Sequence, residues 1–238
     1  MSRRLMLLGG ALLLGVACAA GARAQDERKL EVGAQFSVLD ATNGRASVVT
    51  ILPCTTPPCP TQTSTTDGRS TEPGFGGRVG YNVTPNVALE AEVNFFPRER
   101  DFTDDKFNGG RKLQGLFGVK AGKRFDAVGL FAKARPGFVR FAEGDLRPRA
   151  GGGCIAIVPP PVGCFEGAPR TDFAFDVGGV VELYPSARTV VRFDAGDTIL
   201  RTDAHLVPIN LPTRTAVVTS RRDTTHNFQG SLGVAFRF

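Results

Sequence analysis

Phe228-Gln229-Gly230-Ser231-Leu232-Gly233-Val234-Ala235-Phe236-Arg237-Phe238 repeats with a period of two. Phe228, Gly230, Leu232, Val234, Phe236 and Phe238 fall on one face, and Gln229, Ser231, Gly233 and Arg237 on the other. A helix would scatter these apolar residues around its circumference, whereas a strand gathers them on one side. Further back, Val87, Leu89, Ala91, Val93 and Phe95 alternate in the same way with Ala88, Glu90, Glu92 and Asn94. Extending this reading over the chain gives eight alternating segments, at about 29–38, 74–83, 87–96, 112–124, 128–141, 171–184, 189–200 and 227–238. Each is long enough to cross a bilayer as a tilted strand.

The connections alternate in length. Thr84-Pro85-Asn86, Phe125-Asp126-Ala127 and Pro185-Ser186-Ala187-Arg188 carry residues that tight turns prefer. The stretches 39–73, 97–111, 142–170 and 201–226 are expected to be long loops. Short and long connections in strict succession put every tight turn at one rim of an antiparallel meander and every loop at the other. That is the arrangement of an eight-stranded, up-and-down transmembrane β-barrel, all-β, with turns in the periplasm and four loops outside.

Residues 1–24 read as a cleaved signal peptide: Arg3 and Arg4, then apolar Leu5 to Val16, then Ala22-Arg23-Ala24 as a small-x-small cleavage pattern. The barrel domain is expected to span 25–238. Leu5 to Ala22 also reaches the lower limit for a transmembrane anchor, and Gly15-Val16-Ala17-Cys18 has some features of a lipidation signal, although Gly15 stands where such signals usually carry Leu. The formal charge of +6 falls to +3 without Arg3, Arg4 and Arg23. That excess is scattered, with no block of like charges, which argues against a nucleic-acid partner.

The polar face carries Glu31, Arg78, Glu90, Glu92, Lys120, Lys133, Arg135, Asp176, Glu182, Arg192, Asp194 and Arg237, six acids and six bases. A soluble eight-stranded barrel of the lipocalin kind would turn this face outward; a membrane barrel turns it into the lumen. The export signal, the asymmetric connections and the terminal Phe favour the membrane, with the twelve side chains pairing as a charge network that fills the interior. Lys123, Arg140 and Asp197 fall on the apolar face. Each is expected within three residues of a strand end, where a charge facing lipid costs little.

On these residues the mature chain resembles the small outer-membrane β-barrel family of Gram-negative bacteria that includes the OmpA and OmpX barrels. The terminus Gly230 to Phe238 is similar to the Phe-ending last strand that delivers this family to the barrel-assembly machinery, which implies an assembly role for Phe236 and Phe238. Gly118 to Phe125 followed by Gly129 to Lys133 looks like a central hairpin of such proteins. The resemblance implies residence in the outer membrane, contact with its lipid, and no cofactor. It departs in having no Trp and only Tyr81 and Tyr184, so Phe must supply the aromatic girdle. No peptidoglycan-binding domain follows Phe238, so a cell-wall tether is not implied.

Enzymes on this scaffold use His with Ser or an acid at the outer rim. His205 and His226 are the two histidines, and His226, with Asp223 and Thr224 nearby, lacks a His-x-Ser arrangement. Gly76-Gly77 and Gly151-Gly152-Gly153 open no helix after a parallel strand and make no phosphate cradle. Glu90 and Glu92 read as lumen filler rather than a catalytic pair. No catalytic or metal site is expected. The expected function is structural or surface-interacting, with four loops presenting to an unidentified extracellular ligand. A narrow pore for small or lipophilic solutes and a lipid-modifying enzyme are the alternatives.

Cys54 and Cys59 lie in one long connection, Cys154 and Cys164 in another. An oxidising compartment permits disulfides, and four cysteines allow three pairings. Local pairing within each connection is expected, since the intervening segments are short and proline-bearing. Cross-loop pairing and a four-thiolate metal site remain as alternatives.

Overall fold

The computed structural model describes residues 29–51, 61–98, 109–148, 165–203, 205–211, 214–220 and 222–238. The signal segment and all five cysteines, including Cys54, Cys59, Cys154 and Cys164, lie outside the described residues. Among the described residues ten strands follow one another: β1 (Leu30–Ile51), β2 (Thr61–Thr84), β3 (Val87–Phe96), β4 (Lys112–Arg124), β5 (Val128–Pro148), β6 (Phe165–Leu183), β7 (Thr189–Thr202), β8 (His205–Leu211), β9 (Arg214–Ser220) and β10 (Asp223–Arg237). Eight close an antiparallel barrel in the order β1-β10-β7-β6-β5-β4-β3-β2, while β8 and β9 form a separate hairpin.

The eight-stranded barrel is the expected fold, but strand extends into three of the four expected loops: 39–73 and 201–226 are mostly strand, and 142–170 carries strand at both ends. β1 and β2 remain paired up to Ile51 opposite Thr61, and β5 and β6 up to Pro148 opposite Phe165. The stretch 201–226 contributes the β8–β9 hairpin. Where a strand rises beyond the lipid, both faces meet water or protein, so apolar alternation stops while backbone pairing continues. Thr61, Thr63, Thr65 and Thr66 keep their β preference without a hydrophobic period.

Opposite this extended rim lies a rim of tight turns. The Ser186 hydroxyl accepts from the backbone N–H groups of Arg188 (3.2 Å) and Thr189 (3.0 Å), and Phe125 N–H donates to Val128 O at 2.8 Å. The seam between the first and last strands closes here too, with Phe238 N–H donating to Leu30 O at 2.8 Å.

Following paired residues once round the wall from Leu30 passes Tyr81, Leu89, Val119, Ala134, Val177, Asp197 and Phe228 and arrives at Asp40, ten residues further along β1. Eight strands with this stagger tilt by about 40–45°. Each residue therefore climbs about 2.4 Å along the barrel axis, and each step to the next strand about 3 Å. On this scale the outward side chains, Asp197 excepted, are apolar over about 25 Å, the height of a hydrocarbon-facing band. The band runs from Leu30 and Phe236 at the turn rim to Leu113 and Phe173 near the extended rim. Phe36, Phe117 and Phe228 are more than half exposed on it, while Arg135 and Arg192 inside are 0% exposed.

Of the three charges on the apolar face, Lys123 sits beside the end of β4, as expected. Arg140 and Asp197 do not lie within three residues of a strand end, because β5 runs on to Pro148 and β7 to Thr202. The lipid band ends before the strands do. Arg140 stands just above its upper edge, whereas Asp197 lies about 6 Å below that edge. There Asp197 Oδ2 is 2.5 Å from His226 Nδ1, and its Oδ1 accepts from Asn227 N–H at 2.9 Å.

Candidate functional site

The barrel interior holds a stacked polar plug. Its lowest and largest tier contains the twelve charges on the inward parity, contributed by all eight barrel strands. Arg192 of β7 is its centre. It forms an ion pair with Glu90 Oε1, donates to Glu90 Oε2 at 3.0 Å and to Asp194 at 2.7 and 2.8 Å, and lies 3.6 Å from Glu182. Lys120 bonds Glu182 and is 3.4 Å from Glu90. Lys133 bridges Asp176 at 3.1 Å and Asp194 at 3.4 Å. Arg135 binds Asp176 at 2.6 Å, Glu92 at 2.5 Å and Glu90 at 3.8 Å. Arg78 joins Glu31 (3.2 Å) to Asp194 (3.8 Å), and Arg237 joins Glu31 (3.2 Å) to Glu182 (3.4 Å). The twelve are one connected network with no net charge.

Above it lies a neutral belt. Gln114 and Gln229 exchange amide hydrogen bonds at 2.8 and 3.0 Å across the lumen. Asn94 donates to Gln114 at 2.8 Å and to Glu92 at 2.7 Å, and it accepts from Gln35 at 2.8 Å. Thr198 donates to Gln229 at 2.7 Å. Gly76 makes room for this belt: a Cβ there would lie 2.2 Å from Asn94 Oδ1.

Toward the extended rim the interior becomes apolar. Leu116, Val139, Phe141, Ala174 and Leu200 pack together, and so do Leu39, Ala41 and Phe96. Two ion pairs sit among them, Lys112 with Glu72 and Arg170 with Asp172, the latter at 3.0 Å. Lys112 and Arg170 also lie over the Phe141 ring, 5.4 and 4.7 Å from its centroid.

At the turn rim Tyr184, just past β6, is flanked by Arg237 and Arg124, 4.4 and 5.4 Å from its ring centroid. Its hydroxyl donates to Glu182 at 2.8 Å. Burial, reinforced by the Glu182 carboxylate, pushes the phenol above the usual tyrosine range.

Reading the sequence for charge alone misses Glu72, Lys112, Arg170, Asp172 and the whole amide belt. Lys112 and Asp172 share the inward parity of Lys120 and Asp176 and were within reach of the same pattern. Glu72 and Arg170 fall in stretches read as loops. The amides carry no charge to mark them. Phe236 and Phe238 face outward at the turn rim, 54% and 68% exposed. His205 lies in β8 and its side chain is outside the described residues. Among the described residues no group of three or more His, Cys, Asp or Glu could hold a metal.

The wall is closed and eight-stranded, apolar outside and charged inside, and residues 9–238 match the profile of the Outer membrane protein beta-barrel domain. The chain belongs to this family. It is a protein of the cell outer membrane. No curated protein sequence is similar enough to count as a relative. Among solved structures it is similar to OprG of Pseudomonas aeruginosa, at 8% identity and TM-score 0.47 over 89% of this chain and 97% of that one. It is also similar to neisserial surface protein A, at 12% identity and TM-score 0.45 over 88% and 97%. The N-terminal β-barrel domain of P. aeruginosa OprF gives 11% identity and TM-score 0.41 over 90% and 100%.

Proposed function

We propose that this outer-membrane barrel is a sealed scaffold whose work is done at its extended rim, as a structural or surface-interacting protein, rather than a conduit for solutes. The observation that carries this reading is Arg192. It is fully buried at the centre of the lumen and tied to Glu90 of β3 across the barrel, to Glu182 of adjacent β6 and to Asp194 of its own strand. A solute would have to separate these pairs and then the amide belt above them. Breaking a buried pair costs several kcal/mol. The reading places the turn rim in the periplasm and the rim bearing the β1–β2, β5–β6 and β8–β9 extensions outside, as in barrels of this kind. It assigns no reaction to the protein. Phe236 and Phe238 are taken as the handover signal to the barrel-assembly machinery, and an extracellular ligand would meet the extensions. Single-channel recording of the purified full chain in planar bilayers tests the proposal. Silence is expected, and steady conductance steps would replace it with the narrow-pore reading.

A further inference from the structure

Arg111 immediately before β4, Arg140 on β5 and Arg201 on β7 project outward, all exposed. On the axial scale set by the strand stagger they share one height, about 26–28 Å above Leu30. Ala142 N–H donates to Arg111 O at 2.8 Å, which makes Arg140 the diagonal neighbour of Arg111 across β4 and β5. Arg140 stands opposite Thr171, and Arg201 opposite Phe173. Among the described residues none of the three has a carboxylate within ion-pair distance. Asp203, two residues beyond Arg201, is held by Arg222 at 2.8 Å. Immediately below the arc lie Leu113, Phe138 and Phe173, 39%, 43% and 56% exposed. At the same height on β10, β1 and β2 the outward residues are His226, Asp40 and Thr71, and just past β3 the exposed Arg98 is turned toward β2, where it donates to Thr71 O at 3.2 Å.

We propose that the β4–β7 wall binds a phosphorylated amphiphile of the outer leaflet, its headgroup phosphates on Arg111, Arg140 and Arg201 and its acyl chains against Leu113, Phe138 and Phe173. Charge complementarity selects the headgroup. A guanidinium presents paired donors that match phosphate oxygens, and such bonds are among the stronger protein hydrogen bonds. Position selects a lipid over a soluble polyanion. The arginines point sideways at the edge of the hydrocarbon band, so a ligand that reaches them also lies against the apolar side chains beneath. Arg140 and Arg201 are two strands and one pleat apart, about 11 Å, which favours a headgroup carrying two phosphates.

The test uses the full chain folded in neutral detergent, diphosphoryl lipid A, the same lipid stripped of both phosphates, and sucrose octasulfate, with native mass spectrometry reporting bound ligand. Wild type should retain the diphosphoryl lipid, and Arg140→Gln/Arg201→Gln should lose affinity by roughly tenfold or more. Arg188→Gln at the turn rim should bind as wild type. Equal binding by the double variant, or equal wild-type binding of the phosphate-free lipid, would overturn the proposal. Tighter binding of sucrose octasulfate than of the lipid would do the same and assign the arc to a soluble polyanion. Should the double variant fail to fold, the two wild-type lipid arms and the single variant Arg111→Gln decide. Channel recordings do not bear on this site, so the sealed-lumen reading and this one fail separately.

Discussion

Replacing Arg192 with Ala removes the most heavily bonded cation in the lumen. Four donor contacts disappear, two to each of Glu90 and Asp194, together with the approach to Glu182. The interior changes from neutral to −1. Leaving a buried charge without its partner costs about 3–5 kcal/mol. Here the two carboxylates keep weaker alternatives: Glu90 retains Lys120 at 3.4 Å and Arg135 at 3.8 Å, and Asp194 retains Lys133 at 3.4 Å and Arg78 at 3.8 Å. The loss should therefore fall near the lower end, about 3 kcal/mol. With a urea dependence of about 1–3 kcal/mol per molar, the unfolding midpoint in lipid vesicles should drop by about 1–3 M. The companion Arg192→Met/Glu90→Gln deletes one charge of each sign and keeps volume, so it should recover most of the loss; a double-mutant cycle reads the coupling directly. A midpoint unchanged within error in Arg192→Ala, with conductance appearing in the bilayer, would show that water already solvates these carboxylates and that the lumen is not sealed.

Gly76→Ala should destabilise the folded barrel by about 1–3 kcal/mol, because its Cβ meets Asn94 and the Val93 carbonyl oxygen inside 2.4 Å. Gly179→Ala, which faces outward with nothing within 4 Å, should leave the unfolding midpoint unchanged or raise it. An accessible epitope at Asp67 should be labelled on intact cells and one at Asn86 should not; the reverse would invert the topology. Deleting Phe238 should reduce assembled protein in the membrane more than it lowers the stability of barrel already folded, since it removes an exposed ring and only two backbone bonds to Leu30. Reduction should leave the heat-resistant folded form intact, and peptide mapping without reduction should join Cys54 to Cys59 and Cys154 to Cys164 rather than across the two pairs.

The wall was legible wherever lipid imposes a rule. Between Val87 and Phe96 every outward position must be apolar and every inward one can be polar, and the strand there has the ends that the alternation predicts. The charges Glu90, Glu92, Arg135 and Arg192 follow from the same parity. Pairing between them does not, because partners such as Arg192 and Glu90 lie on β7 and β3, far apart in sequence and brought together only by closure of a narrow barrel. The belt of Gln114, Gln229 and Asn94 was illegible for a different reason: an uncharged amide on an inward face looks the same whether it meets water or another amide.

Past the edge of the lipid the rule changes sign. Through most of the band inward positions are polar and outward ones apolar; at its upper edge and beyond, Leu39, Phe96, Val139, Phe141 and Leu200 point inward and are buried, while Arg140 and Arg201 point outward and are exposed. A strand that crosses this edge keeps its backbone pairing and exchanges the chemistry of its two faces, so a reading that follows apolar residues loses it there. β5 shows the change within four residues: Phe138 faces lipid, Val139 faces the interior, Arg140 faces outward above the band and Phe141 packs inward against Ala174's cluster. The upper barrel is thus built more like a soluble one, with a polar surface and a core in which apolar side chains surround the Lys112–Glu72 and Arg170–Asp172 pairs, on a lower barrel built the opposite way. Such a collar folds against its own core rather than against lipid. Its extensions stand clear of the charge network beneath, which supports the proposed division between recognition at this rim and sealing in the wall below.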